Sequence, residues 1–491
     1  MYQRGLPPQA VYRFKHALIQ DAAYQSLLRS TRQQYHQQIA QVLEAQFPDT
    51  VETQPEFLAH HYTAAGLSAQ ALVFWKRAGE RALGRSAPRE ATVCFEQALG
   101  AVQQLPECPA RHEQAMDLRF DLRRACMVLG EFRRALEVLR EVETLAQTLA
   151  DQRRLGWTAG YLTNLFWEMG DQEQAIASGE RALAIAAHLQ EDALQEMASR
   201  YLSRAYQAMG DYRRALDGLR QTAASEHSLF FVVMCLTELG EFAEGIAYGA
   251  AGIQSAETGG RAWGGRAWNL SMMCAALGRL YLQKGDLDQA IPLLERSLAL
   301  CREAAIPLQL PFTAASLGVA YARARRVTEA QPLLAQAVEQ AAAMGRMFDY
   351  ALWVAWLGEA ALLAGHLAEA YDYAQRALAC SLTYRERGNQ AWILRLLGDI
   401  YAHRHPAEFG PAETAYQQAL TLAEALGMRP LQAHCHCGLG ALYGRTGRTQ
   451  QASVALRTAL DLYQAMEMTC WVAQAEAALA QGGAASETST G

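Results

Sequence analysis

The feature that most constrains this chain is a Leu-Gly pair followed three residues later by Tyr or a small residue. It occurs as Leu277-Gly278-Tyr281, Leu317-Gly318-Tyr321, Leu357-Gly358-Ala361, Leu397-Gly398-Tyr401 and Leu439-Gly440-Tyr443. A small residue follows each pair: Ala290, Ala330, Ala370, Ala415 and Ala452. Earlier segments give Ala71, Ala91, Ala135, Ala175, Ala215 and Gly245 in the same register. From Ala135 the steps are 40, 40, 30, 45, 40, 40, 45 and 37 residues. A period of this size predicts a tandem array, in which each unit buries its apolar face against its neighbours. A single conventional core would not accommodate 491 residues.

Local signals set the unit. Gly130-Glu131, Gly170-Asp171, Gly210-Asp211, Gly240-Glu241 and Gly285-Asp286 each stand just before an anchor. The Gly suits the left-handed residue that ends a helix, and the acid suits the start of the next. The anchor must be small because two helix backbones approach closely there. The expectation is therefore a pair of helices per unit. The spacing breaks in two places. One is an irregular joint near 225–270, with the duplication Gly259-Gly260-Arg261-Ala262-Trp263 and Gly264-Gly265-Arg266-Ala267-Trp268. The other is a lengthened turn at residues 405–411.

Before the array, Val11–Phe14 reads as a short strand. Amphipathic patterns run through Leu18, Ala22, Tyr24 and Leu28, then through Tyr35, Ile39, Val42, Leu43 and Phe47. Thr53-Gln54-Pro55-Glu56 reads as a capping box. The stretch Tyr350 to Gly365 is apolar but carries Glu359, is too short to span a bilayer and falls in register, so it is expected to be a buried helix. Residues 481–491 are rich in Gly, Ser and Thr and read as a disordered tail. The domain expectation is an entry segment over 1–50, repeats over 51–480 and the tail.

Composition narrows the function classes. The net charge of −6 gives no electrostatic case for wrapping nucleic acid. The ten Cys are scattered, without a disulfide spacing, and read as reduced thiols of a cytoplasmic protein. MYQRGLPPQA has no apolar signal core. No Gly-x-x-x-x-Gly-Lys-Ser/Thr loop occurs, so no triphosphate cradle of that kind is expected. His434-Cys435-His436-Cys437 cannot converge on one metal from a helix, since adjacent side chains point about 100° apart. Only His434 and Cys437 share a face, with His403 as an outside third. The expectation is no metal, no cofactor and no catalytic group, with His16, His36, His60 and His61 serving packing or capping.

The order Leu-Gly-x-x-Tyr, Ala, apolar, small, as in Leu439, Gly440, Tyr443, Ala452, Leu456, Ala459 and in Leu317, Gly318, Tyr321, Ala330, Leu334, Ala337, resembles the tetratricopeptide repeat. The resemblance implies an all-α, right-handed α-α superhelix of about ten long repeats. The run Tyr12 to Leu28, with Arg32, His36, Leu58-Ala59-His60-His61-Tyr62 and Trp75-Lys76-Arg77-Ala78-Gly79, is similar to the end of the winged-helix region of bacterial signalling ATPases. Those proteins carry an AAA-type module, often with a nucleotide cyclase or transcriptional output domain. The implied role is a non-catalytic scaffold or sensor arm that binds a protein, a peptide or a small effector, without nucleic acid or membrane. An ATPase or cyclase subunit is the implied protein partner.

In this repeat class the first helix of each pair lines the concave face. The register then points Trp157, Asn164, Trp167, Arg200, Arg204, Arg279, Arg323, Trp392, Arg395, Asp399 and His403 into a groove, with Glu168, Gln207, Gln283 and Glu359 beside them. Aromatic and Arg side chains are common binding anchors, and Arg grips carboxylates in a bidentate manner. A solvated face with a few exposed Trp is the plainer account of the same pattern. Two other classes stay open: a helical-solenoid enzyme, in which Glu359, Asp399 and His403 would converge on a closed cavity, and a fragment of a DNA-binding regulator.

Overall fold

The computed structural model describes residues 2–4, 11–13, 17–85, 87–221, 226–258, 265–404 and 407–487. The fold is all-α, built of consecutive helices packed in adjacent pairs, with one small hairpin. The chain divides into two compact units, Met1–Ala125 and Cys126–Gly491.

In the first unit, strands Tyr2–Arg4 and Val11–Arg13 pair antiparallel, Tyr2 opposite Arg13. Helices Ala17–Ser26 and Arg29–Gln46 follow. Of the apolar side of the amphipathic pattern on the second, Tyr35, Ile39 and Val42 are exposed, and only Ala40 of that helix is buried. Periodicity locates an apolar face but does not supply the surface that covers it. Helices Pro55–Ala65, Ser68–Gly84 and Pro88–Gln103 then pack in series. Tyr62 stacks on Phe74, and Phe95 lies against Gly79, where a Cβ would sit 2.5 Å from its ring. The expected capping box does not form. Thr53 ends a separate helix, Pro48–Thr53, and its hydroxyl donates back to Asp49 O at 2.6 Å.

The second unit carries the regular array. Its pairs include Gln152–Glu168 with Gln172–Leu189, Gly265–Lys284 with Leu287–Glu303, Leu310–Arg323 with Val327–Met344, and Arg387–His403 with Phe409–Leu426. Every anchor is buried: Ala135, Ala175, Ala215, Ala290, Ala330 and Ala370 are fully covered, and Gly245 is enclosed. The turn glycines 130, 170, 210, 240 and 285 all have left-handed φ. Asp171, Asp211 and Asp286 each accept from the backbone N–H three residues on, as helix caps. Glu131 and Glu241 instead pair with Arg134 and Arg213.

First helices lie inside, second helices outside. Leu310–Arg323 and Tyr350–Leu363 are buried on nearly all sides, whereas Val327–Met344 buries one stripe. The stack also returns on itself. Helix Asp192–Met209 meets Arg387–His403, and Glu226–Leu239 meets Arg429–Arg445, each five pairs along. At these crossings Gly170 approaches Tyr384, Gly210 approaches Leu426, Gly240 approaches Met466 and Gly285 approaches Trp471. The second unit's inner side is therefore largely closed.

Helix Thr469–Glu487 carries regular structure into the stretch expected as a disordered tail. Of the expected joint near 225–270, residues 225 and 259–264 lie outside the described residues, and the rest forms helices Glu226–Leu239 and Phe242–Thr258 and the start of Gly265–Lys284. Residues 405–406 of the lengthened turn also lie outside the described residues. Among the described residues, no helix is long and apolar enough to cross a membrane.

Candidate functional site

The inner face of the second unit gathers charged and aromatic side chains from helices far apart in sequence. At its centre is Arg279, on helix Gly265–Lys284 and only 5% exposed. It donates to Asp349 Oδ2 at 2.6 Å and lies 3.6 Å from Glu238 Oε1. Its guanidinium also sits over the rings of Phe312 and Trp356. Glu238 accepts from Trp392 Nε1 at 2.9 Å. Asp349 N donates to Glu386 at 3.1 Å, and Asn389 Nδ2 donates to both Asp349 and Glu386.

Three carboxylates around one Arg cannot all stay ionised cheaply in a dry interior. Burial, then the nearby charge of Asp349, pushes Glu386 up to about 8. Burial also raises Glu238, against the pull of Arg279 and the Trp392 bond. Burial lowers Arg279, but Asp349 and Glu238 more than compensate, so its proton is held more tightly than usual.

Beside this cluster, Arg323 grips Glu359 through two bonds of 2.7 and 3.1 Å. Burial alone would raise Glu359; the Arg323 charge and bond, with Arg395, hold it below the usual carboxylate range. Arg395 pairs with Asp399 at 3.0 Å. These residues surround a small pocket with room for about one water molecule, lined on its polar side by Glu238, Arg279, Gln283, Arg323, Glu359 and Arg395. Trp356, Trp392, Leu282, Leu352, Ala355 and Leu396 form the apolar wall.

Of the residues the sequence pointed inward, the pocket brings together Arg279, Gln283, Arg323, Glu359, Trp392 and Arg395. A second group lies on earlier repeats. Arg204, 6% exposed, donates to Asn164 Oδ1 at 2.7 Å and sits over the rings of Trp167, Tyr201 and Phe231. Burial lowers its pKa to about 10. Trp167 is buried against Phe231 and Phe348. Trp157 is half-buried and donates to Glu191 at 3.2 Å, and Arg200 pairs with Glu196 at 3.4 Å. The basic rung of Arg200 and Arg204 is thus split, one member half-buried and one enclosed.

Asp399 accepts from Tyr416 at 2.5 Å as well as holding Arg395, and exposed His403 donates to Asp399 O at 2.7 Å. Glu359 lines the cavity; Asp399 and His403 do not, so the three do not converge there. His434 is enclosed by Trp392, Tyr463 and Trp471, and its Nδ1 is 2.8 Å from Tyr463 Oη. Burial, with Arg395 and Arg323 nearby, keeps it neutral far below the usual His range. In the first unit, His36 and His61 meet at 2.8 Å, with the His60 ring beside both. Among the described residues, no group of three or more His, Cys, Asp and Glu is placed to hold a metal.

Sequence reasoning missed Glu238, Asp349, Glu386, Asn389 and Arg346. Asp349 and Glu386 each stand just before an inner helix, where an acid reads as a cap, yet neither side chain caps its helix. Both turn inward instead. Arg346 donates to Glu168 Oε2 at 3.0 Å and to Leu308 O, while Met347 N donates to Glu168 O at 2.7 Å.

A tetratricopeptide-repeat model matches residues 273–307, which hold the Leu277-Gly278-Tyr281 and Ala290 signature. This chain contains a tetratricopeptide-repeat region. No curated protein matches the chain. Among solved structures, a Rap protein complexed with competence and sporulation factor is similar, with a TM-score of 0.55 at 12% identity. The match covers 74% of this chain and 99% of that one. The Cut9–Hcn1 hetero-tetramer of APC/C gives a TM-score of 0.50 at 16% identity, over 96% of this chain and 93% of that one. At such identities the likeness concerns the fold.

Proposed function

We propose that this protein is a non-catalytic interaction scaffold whose second unit reads a protein, peptide or small effector on its inner face, as the sensory arm of a bacterial signal-transduction ATPase system. The observation that carries the reading is the cavity between Arg279, Arg323, Arg395, Trp356 and Trp392. Its walls come from several repeats, so whatever occupies it touches the packing between repeats. A ligand shifts an array between conformers only if its affinity differs between them, and a site with walls from several repeats changes shape when the packing between those repeats changes. The similar Rap structure holds a factor, which supports reading such a fold as a binding module. The ATPase context rests on the likeness of residues 11–100 to the entry region of those proteins.

The test uses the full chain as bait in a bacterial lysate, followed by mass spectrometry and calorimetry with the purified captured protein. A P-loop ATPase or cyclase polypeptide that binds in a defined ratio is the expected result. Saturable binding only to proteins outside that system would remove the ATPase context. Absence of any stoichiometric protein or effector would remove the scaffold reading itself.

A further inference from the structure

We infer that His36, His60 and His61 of the first unit form a proton-operated latch, which holds helix Arg29–Gln46 on helix Pro55–Ala65 and releases it in mild acid. Helix Arg29–Gln46 is docked by little apolar surface. Ala40 is its one buried residue, Leu43 is half-buried, and Tyr35, Ile39 and Val42 are exposed. What meets the neighbouring helix is largely polar. His36 Nδ1 lies 2.8 Å from His61 Nδ1, Tyr62 donates to Glu44 at 2.5 Å, and Gln33 lies against Gly66. His36 Nε2 is also 2.8 Å from Tyr24 Oη, which ties helix Ala17–Ser26 to the same ring.

Two facing Nδ1 atoms make this contact sensitive to the number of protons. With both rings neutral, or with one charged, one Nδ1 donates and the other accepts. A second proton leaves two N–H groups opposed across 2.8 Å, with like charges on both rings, and the contact breaks. His60 adds a third titrating ring, 6.1 Å from His36 and 5.9 Å from His61. The other facing groups do not offset these charges. Tyr24 faces His36 from Ala17–Ser26, with the Arg32 guanidinium over its ring. Glu44, further along the helix, is held by Tyr62. On helix Ser68–Gly84, Lys76 pairs with Glu80 and Arg77 with Glu52. Burial, then the neighbouring histidine charges, lower both His36 and His61 from 6.5, and no carboxylate is among the charges acting on either ring. Released rings therefore take up protons that latched rings refuse. The latch is complete above 6.5 and weakens as pH falls below it.

Hydrogen–deuterium exchange of the full chain, at about pH 7.5 and about pH 5 with intrinsic rates corrected for pH, tests the latch. Peptides from Arg29–Gln46 should lose protection by roughly 10–100-fold at the lower pH, since each proton taken up on release shifts the balance by up to about tenfold per pH unit below 6.5. Peptides from helix Pro88–Gln103, in the same unit, should keep theirs. His61→Gln retains a donor and an acceptor but does not titrate, so it should abolish the step, and His36→Gln should do the same. His60→Gln, on an exposed ring, should shrink the step without removing it. Equal protection of Arg29–Gln46 at both pH values would overturn the inference, as would a step of undiminished size in the His36 and His61 variants. A matching loss in Pro88–Gln103 would mark general acid unfolding and overturn it too.

Discussion

Glu386 shows how one side chain ties the inner face to pH. It is fully buried, accepts from Asp349 N and Asn389, and faces the Asp349 carboxylate, with Arg279 beyond. Its pKa is about 8 in the fold against 4.5 for an ordinary Glu. Between those two values the folded chain holds a proton that the unfolded chain has lost. Stability therefore falls with rising pH across that window, by up to about 1.4 kcal/mol per pH unit from this group. The contribution is fully present below 4.5 and gone above about 8. Glu386→Gln imitates the protonated acid, keeping an acceptor for Asp349 N. Urea unfolding at several pH values should show a flatter decline in the variant, with the largest gain over the parent at the alkaline end. Parallel curves would mean that Glu386 is ionised in the fold at neutral pH.

At the scale of the helix pair, the Leu-Gly signature records a close approach. A Cβ at Gly318 would lie 2.7 Å from Leu334 Cγ and 3.2 Å from Ala330 O on the second helix. The same holds at Gly440, 2.6 Å from Leu456 Cγ. Gly318→Ala should lower stability by about 1–3 kcal/mol through overpacking, despite the helix propensity that Ala adds. Gly444→Ala is the control: it is helical, exposed and has open space around it, so it should be neutral or stabilising by up to about 1 kcal/mol. Thermal unfolding of both variants decides, and equal shifts would remove the close-approach explanation. Signals of this kind are why the pairs were legible in the sequence. Gly170, Asp171 and Ala175 lie within one turn and a cap of each other, so spacing alone carries their roles. The inward direction of Arg279, Arg323 and Arg395 was legible for the same reason. The acids of Arg323 and Arg395 were legible too, Glu359 by register and Asp399 one turn along the same helix. Those around Arg279 were not: Glu238 and Asp349 come from other parts of the chain, and no local period relates them to it. The exposed stripe of Tyr35, Ile39 and Val42 marks the same limit from the other side.

At the largest scale, the second unit departs from a simple array. In a plain solenoid each repeat touches only its neighbours, and stability is nearly a sum over adjacent interfaces. Here Glu168 and Arg346 meet at 3.0 Å although 178 residues apart, both about 5% exposed. Trp392 and Glu238 meet across 154 residues. Such bonds join one turn of the stack to the next, and they decide whether the inner face is an open groove or an enclosed one. Repeat period fixes which helix lies inside but not the pitch, so this closure could not be read from spacing. It also gives the ion pair a measurable weight. Arg346→Met leaves the Glu168 carboxylate buried beside a thioether, a change that costs about 3–5 kcal/mol where a buried pair is broken from one side. Replacing both, Arg346→Met with Glu168→Met, removes the stranded charge, and hydrophobic replacements of buried pairs are often neutral. The double variant should therefore recover most of the loss in urea unfolding, although Met347 N still donates to Glu168 O in either case. The single variant should also unfold over a broader range, as the repeats on either side of the crossing lose their connection. A loss below about 1 kcal/mol for Arg346→Met would show that the turns of this unit hold together without the pair, leaving the Trp392 and Arg279 bonds to close the inner face.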